Sequence, residues 1–435
     1  MSISTAFSDF LDNIAIDNAE TISLRYGEVT RALNMRFRDT ESRTANTLQV
    51  GSYGRRTAIK GVSDLDMLFI MPASKWDDYS NGGQSKLLTD AANAIKARYP
   101  NTTVKVDRLV VQIQYQGFQI EAQPVFKLVD GSFRYPDTYR GGSWKTTKPE
   151  QELTASSQAQ LDKNNNFRPL CKMVRAWRNR HGVQMGGLLI DTLVYKFLYS
   201  TSEYDSAGYR SYPQMVEAFF AYLADLPVQH EYGALGSNQR VKVKKRFQRR
   251  AREAQEAAAK AAAEVDEAKA RAKWRKLFGR AFPLAEEGIA ESVIYEAGYQ
   301  ARNTEEFPEE VFSVDIRYTL KIDCEVKQNG FQTLLLRAML VDHLPLFTQK
   351  SLRFKIVHHD IPESIDHQFY WKVLNRGPVA VKRDCIRGQI VPDEGQRQKI
   401  ENTNFRGDHI VECYAVSNGV VIARDRIKVP IREEA

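Results

Sequence analysis

A glycine–serine pair and two aspartates at a fixed distance constrain this chain more than any other feature. They stand in GSYGRRTAIKGVSDLDMLFIMP, residues 51–72. Eleven residues separate Ser52 from Asp64, and Asp66 follows two positions later. Residues 67–71 are an unbroken apolar run closed by Pro72, so DLDMLFI reads as a strand whose far end is buried. Residues i and i+2 of a strand share a face, which sets Asp64 and Asp66 side by side at the strand's mouth. Charges opening a buried strand need a compensating partner, and neighbouring carboxylates repel unless a cation lies between them. A hard, oxygen-seeking ion such as Mg²⁺ (or Mn²⁺) suits such a pair.

Glu121 lies in FQIEAQPVF, a later strand, and brings a third carboxylate to the same sheet. Three carboxylates can hold two ions about 4 Å apart, one at a hydroxyl nucleophile and one at a triphosphate. Gly51 and Ser52 then read as a phosphate cradle, since glycine lets the backbone approach closely and the N–H groups and hydroxyl donate. Asp64, Asp66 and Glu121 are thus the candidate catalytic and metal-binding residues.

Around this motif the periodicity predicts helices over 5–45 and 83–98. It predicts two strands over VKVDRLVVQIQYQGFQIEAQPVF, joined at Gly117. Residues 166–182 and 184–200 read as two helices split at His181-Gly182. On the first, Lys172, Arg175 and Arg178 share a face. Residues 239–280 hold 15 Lys and Arg against five acids. They carry no proline, and no glycine before Gly279, so they read as one long basic helix of about 60 Å, unless interrupted. The chain's net charge is +8, so the basic bias belongs to this segment. The interleaved acids and alanines favour a solvated helix packed on the enzyme core over a nucleic-acid-binding one.

Residues 284–308 read as a linker. From 309 to 435 strand-like runs punctuated by Gly, Asn and Pro predict an all-β, sandwich-like domain. There Trp371 reads as a core residue, and the adjacent His358 and His359 point to opposite faces and read as structural or surface groups. Cys171, Cys324, Cys385 and Cys413 are far apart, which argues against a thiolate zinc site and for free thiols in a reducing cytoplasm. No run of 18 apolar residues suggests a membrane span, and the N-terminus lacks a secretory pattern.

The ordered set Gly51, Ser52, Asp64, Asp66 and Glu121 resembles the motif of the polymerase-beta-like nucleotidyltransferases. Within them it is most similar to the bacterial cyclic GMP-AMP synthase-like enzymes (CD-NTases, SMODS type). FRPLCKMVRAWRNRHG resembles the family helix that supplies a basic residue to the triphosphate, with Lys172 the first choice and Arg175 the second. AKWRKLFGRAFP resembles the close of the SMODS enzyme module, so the likeness spans residues 1–283. Where relatives carry a serine at the start of the next helix, this chain has Gly186-Gly187, and Asp191 reads as a helix-face structural residue. FYWKVLNRGPVA, IRGQI and FRGDHIVECYAV resemble the AGS-C sensor domain.

The resemblance implies an α+β enzyme with a helical lobe. Such an enzyme joins nucleoside triphosphates into cyclic oligonucleotide second messengers in bacterial antiphage (CBASS-type) defence. The implied partners are the triphosphates, a downstream effector that binds the product, and a ligand at the C-terminal domain; nucleic acid is possible without being required, and no membrane partner is expected. Two other readings stay open on the residues alone. One is a template-free transferase that makes linear oligonucleotides or modifies RNA or protein. The other is a sensor of a nucleotide or phage ligand.

Overall fold

The computed structural model describes residues 2–285, 306–327, 333–375, 388–403 and 406–432. Most of the expected linker, together with Cys385, lies outside the described residues. The chain divides into two compact units, Met1–Arg180 with Met185–Pro283, and His181–Gln184 with Leu284–Ala435.

The first unit opens with α1 (Ile3–Asn13), started by the Ser2 side chain, which accepts from the Thr5 amide. Next comes α2 (Ala19–Arg38), which ends at Asp39 in the left-handed conformation. Its buried stripe of Ile22, Tyr26, Val29, Leu33 and Phe37 follows helical spacing. Then come β1 (Thr47–Gln49), α3 (Gly51–Gly54), β2 (Asp64–Ile70) and α4 (Gln84–Arg98). The strands β3 (Thr103–Asp107), β4 (Val110–Tyr115), β5 (Phe118–Lys127), β6 (Phe133–Asp137) and β7 (Ser143–Thr147) complete the sheet. The order is β1-β2-β5-β4-β3, with β6 on β5 and β7 on β6. β2 and β5 are parallel.

Burial along β2 alternates at its mouth. Leu65, Met67 and Phe69 join α2 and α4 in one core. On the opposite face Asp64 and Asp66 are followed by Leu68, which packs with Val125 and Phe133.

A helical part follows: α5 (Pro149–Asp162), α6 (Phe167–His181), α7 (Gly187–Tyr199) and α8 (Tyr212–Asp225), then the strand pair β8 (Glu231–Gly233) and β9 (Arg240–Lys242), then α9 (Gln248–Ala262) and α10 (Glu267–Phe278). Phe7 and Phe10 of α1 pack on Trp274, Phe278 and Phe282, with ring centroids 4.9 to 6.4 Å apart. The aromatic close of AKWRKLFGRAFP therefore ties the end of this unit to its beginning.

Three expectations need correction. The basic segment is two helices, not one. Asp266 accepts from the Lys269 amide and caps α10, so the helix restarts there, and residues 240–242 are strand. Its alanine face is nonetheless packed: Ala251, Ala254, Ala258 and Ala261 are buried. The stretch before Gly117 is itself a hairpin, turning between Asp107 and Val110. The Gly-Ser turn is a one-turn helix, α3.

The second unit is sheet-rich. One sheet orders β10 (Ser313–Val314), β19 (Val420–Arg432), β18 (Gly407–Ser417), β15 (Gln368–Leu374) and β16 (Ile390–Pro392), with β13 (Leu346–Phe347) on β19. The other orders β12 (Leu334–Leu335), β11 (Leu320–Lys327), β14 (Ser351–His359) and β17 (Gln398–Asn402). Ile322, Cys324 and Phe354 of the second sheet share a core with Trp371, Val411 and Cys413 of the first. Trp371 is buried and donates its indole N–H to Asp393 Oδ1 at 2.8 Å, which satisfies its polar edge. Cys171, Cys324 and Cys413 are buried free thiols. Among the described residues no helix is long and apolar enough to cross a membrane.

Candidate active site

The parallel pairing of β2 with β5 sets the site. Asp66 is the direct register partner of Glu121, and Asp64 of Gln119. On the other side of β5, Gln112 of β4 is the partner of Glu121. Paired residues in adjacent strands project to the same face, so Asp64, Asp66 and Glu121 share one. Glu121 Oε1 accepts from Gln119 Nε2 at 2.8 Å and from Gln112 Nε2 at 3.3 Å. The two amides fix the plane of the carboxyl group. The glutamines went unremarked in the sequence, although Gln119 stands two residues before Glu121 and so on its face of the strand; Gln112 reaches it only through the pairing of β4 with β5.

Above Asp66 sits α3. Gly51 has φ +65°, and a β-carbon there would stand 1.8 Å from Asp66 Oδ2. Only glycine combines that backbone with that proximity. The Val50 amide donates to the Asp66 carbonyl at 3.0 Å, so the entry to α3 is stitched to β2. At the other end Gly54 packs on the Gln49 carbonyl, 2.3 Å from where its β-carbon would be. The Ser52 carbonyl accepts from the Thr57 and Ala58 amides at 2.9 and 3.1 Å. The turn is thus closed on itself beside the carboxylates.

A buried ionic strap holds it there. Arg55 Nε donates to Asp191 Oδ2 at 2.8 Å, and Thr57 Oγ1 donates to the same oxygen at 2.9 Å. Arg175 Nη1 donates to Asp191 Oδ1 at 2.6 Å, and its Nη2 donates to the Gly187 carbonyl at 3.0 Å. Asp191 is fully buried. Burial pushes its pKa up, but Arg175 and then Arg55 outweigh that and bring it to about 2. A helix-face acid thus becomes the pin between the turn, α6 and α7.

The structure brings Gly51, Ser52, Asp64, Asp66 and Glu121 together and sets the two basic candidates apart. The guanidinium of Arg175 is spent on Asp191 and Gly187. With Arg178 it is buried, so these two of the three basic residues on that face of α6 point inward and are not presented to a ligand. Lys172 lines a cavity with Thr47, Gln49, Tyr53 and Arg56. Thr47 and Gln49 register with Phe69 and Met67, which face the α2 core. Ser23, Leu24 and Gly27 of α2 also line the cavity and none of Ser52, Asp64, Asp66 and Glu121 does, so it lies on the α2 side, apart from the carboxylates. Burial and then Arg168 push the Lys172 pKa down, with Asp12 opposing.

Among the described residues no three His, Cys, Asp or Glu side chains converge, as they stand, into an ion-binding cluster. The donor set still suits a hard divalent ion, with three carboxylates on adjacent register positions and Gly51 leaving room for the carboxyl group of Asp66.

Known proteins resemble this chain in both of its parts. Residues 1–160 match the family model of the Second Messenger Oligonucleotide or Dinucleotide Synthetase domain. Residues 302–432 match that of the Adenylyl/Guanylyl and SMODS C-terminal sensor domain. A cyclic AMP-AMP-AMP synthase from an Acinetobacter species is 24% identical over 256 residues, covering 55% of this chain and 73% of its own length. The solved structure of Escherichia coli MS115-1 CdnC with HORMA-deltaN superposes with a TM-score of 0.50 at 17% identity, over 64% of this chain and 98% of that one. The fold is the polymerase-beta-like nucleotidyltransferase fold. The chain is similar to the CD-NTases, the nucleotidyltransferases that make cyclic oligonucleotides, and its residues 302–432 match an AGS-C domain.

Proposed function

We propose that this enzyme joins nucleoside triphosphates into a cyclic oligonucleotide at the face bearing Asp64, Asp66 and Glu121. The observation that carries the reading is the register pairing of Asp66 with Glu121, with Asp64 two residues along and Gly51 packed on Asp66. In each joining step a ribose hydroxyl oxygen attacks the α-phosphorus of a triphosphate and pyrophosphate leaves. The three carboxylates would hold Mg²⁺ (or Mn²⁺), which supplies an acidified hydroxyl and neutralises phosphate charge. The turn contributes its backbone N–H groups and the Ser52 hydroxyl to phosphate oxygens. The relative that makes cyclic AMP-AMP-AMP supports ATP as a substrate.

On this reading residues 1–283 are the enzyme, 284–308 the linker and 309–435 the sensor. The product is a cytoplasmic signal read by an effector protein in antiphage defence, a role supported by the family resemblance. The test is incubation of the full chain with each labelled triphosphate and Mg²⁺ or Mn²⁺, then phosphatase and mass spectrometry. A phosphatase-resistant product without a free end is the expected result. Label found only on added RNA or protein would replace cyclisation with template-free transfer.

A further inference from the structure

The cavity on the α2 side of the sheet has a volume of about 1050 Å³ and is separate from the carboxylate face. Three cations gather at it. Lys172 and Arg56 line it. Arg168 lies one helical turn before Lys172 on α6, and its pKa is pushed down by burial and then by Arg56. Among the described residues none of the three makes an ion pair with a carboxylate, whereas the fourth cation there, Arg43, is paired with Glu28 at 2.7 Å. Like charges held together and partly desolvated repel unless an anion joins them. Arg56 also has φ +59°, a backbone that costs a non-glycine residue of its kind about 1 kcal/mol, and such strain persists where the surroundings or a function demand it.

The rest of the wall is of another character. Tyr53 and Tyr26 contribute rings, the latter fixed by a 2.7 Å hydrogen bond between its hydroxyl and Thr47 Oγ1. Leu24 and Ile16 contribute apolar surface. Cations beside aromatic and aliphatic walls suit a ligand that is part anion and part planar ring.

We infer that this cavity is a second ligand site, which takes a small anionic molecule bearing an aromatic ring and lies behind the Gly51–Ser52 turn. Its wall includes Tyr53 and Gly54, the second half of the same one-turn helix whose first half packs on Asp66. A ligand held there touches the turn from behind without meeting the carboxylates. The anion is a phosphate or a carboxylate, since guanidinium and ammonium groups accept both.

The experiment is calorimetric titration of the full chain, in chelator so that no divalent ion bridges a nucleotide to the carboxylates. The probes are AMP, benzene-1,3,5-tricarboxylate and ring-free tripolyphosphate. At least one ringed anion is expected to bind, AMP alone marking a phosphate ligand and the tricarboxylate alone a carboxylate one. Tripolyphosphate is expected to bind at least tenfold more weakly than the better ringed probe. Arg56→Gly with Lys172→Met is expected to weaken binding tenfold or more. The first change removes charge while relieving the backbone. Ser23→Trp on the exposed α2 wall fills the cavity with its charges intact and is expected to do the same, which keeps the test open if the double variant does not fold. Asp66→Asn is expected to bind like the unaltered chain. Failure of both ringed probes, equal binding by folded cavity variants, or loss of binding in folded Asp66→Asn would overturn the assignment.

Discussion

Gly51 and Asp66 approach so closely that a β-carbon on residue 51 would stand 1.8 Å from the carboxylate oxygen of Asp66. The phosphate cradle and the carboxylate strand are therefore one packed object. Gly51→Ala must move either the turn or Asp66, and it also places a side chain at φ +65°. Product formation should fall at least a hundredfold, with about 1–3 kcal/mol lost from stability. Product assays beside urea unfolding check this, and near-normal activity would show that the contact does not matter.

The Arg55–Asp191–Arg175 strap makes a second prediction. Asp191→Asn leaves two buried guanidinium groups facing a neutral amide, and removing one partner of a buried ion set costs about 3–5 kcal/mol. The pH dependence has a definite sign. The folded-state pKa of Asp191 is about 2, below the ordinary value near 3.9. Its contribution is thus complete above the ordinary value and is lost as pH falls from there through about 2. Acid unfolding of the unaltered chain and of Asp191→Asn should converge in that window. Parallel curves would assign acid lability elsewhere.

Glu121 is held by the amides of Gln119 and Gln112. If this carboxyl is an ion ligand, those amides orient it, and losing such a partner costs roughly tenfold or more in affinity. Gln119→Ala should raise the Mn²⁺ dissociation constant about tenfold, read by paramagnetic resonance without substrate. An unchanged constant would remove Gln119 from this role.

Ala258 is fully buried on α9. Ala258→Leu should cost about 1–3 kcal/mol by overpacking, whereas a freely solvated helix would tolerate it. A thermal melt distinguishes the two.

Much of this was legible in the sequence because the signals were local. The alternation in DLDMLFI gives the two faces of β2, and Gly51 marks a close approach. What escaped is non-local or lacks a marked residue. Arg55 meets Asp191 across 136 positions, and nothing near either one announces the other. The basic character of Arg175 is as visible as that of Lys172, yet packing spends one on an internal acid and sets the other at a different cavity. The turn at Arg108-Leu109 carries no glycine or proline, so the hairpin of β3 and β4 read as one strand. The break before α10 is marked by Asp266, a capping residue that looked like one more interleaved acid.

The central claim, that Asp64, Asp66 and Glu121 form the nucleotidyl-transfer site, meets its most direct test in the Asp64→Ala, Asp66→Ala double variant. Incorporation of label from α-³²P nucleoside triphosphates should fall to background. The far-ultraviolet circular dichroism and melting profile should match those of the unaltered chain. Full incorporation by that folded double variant would contradict the account.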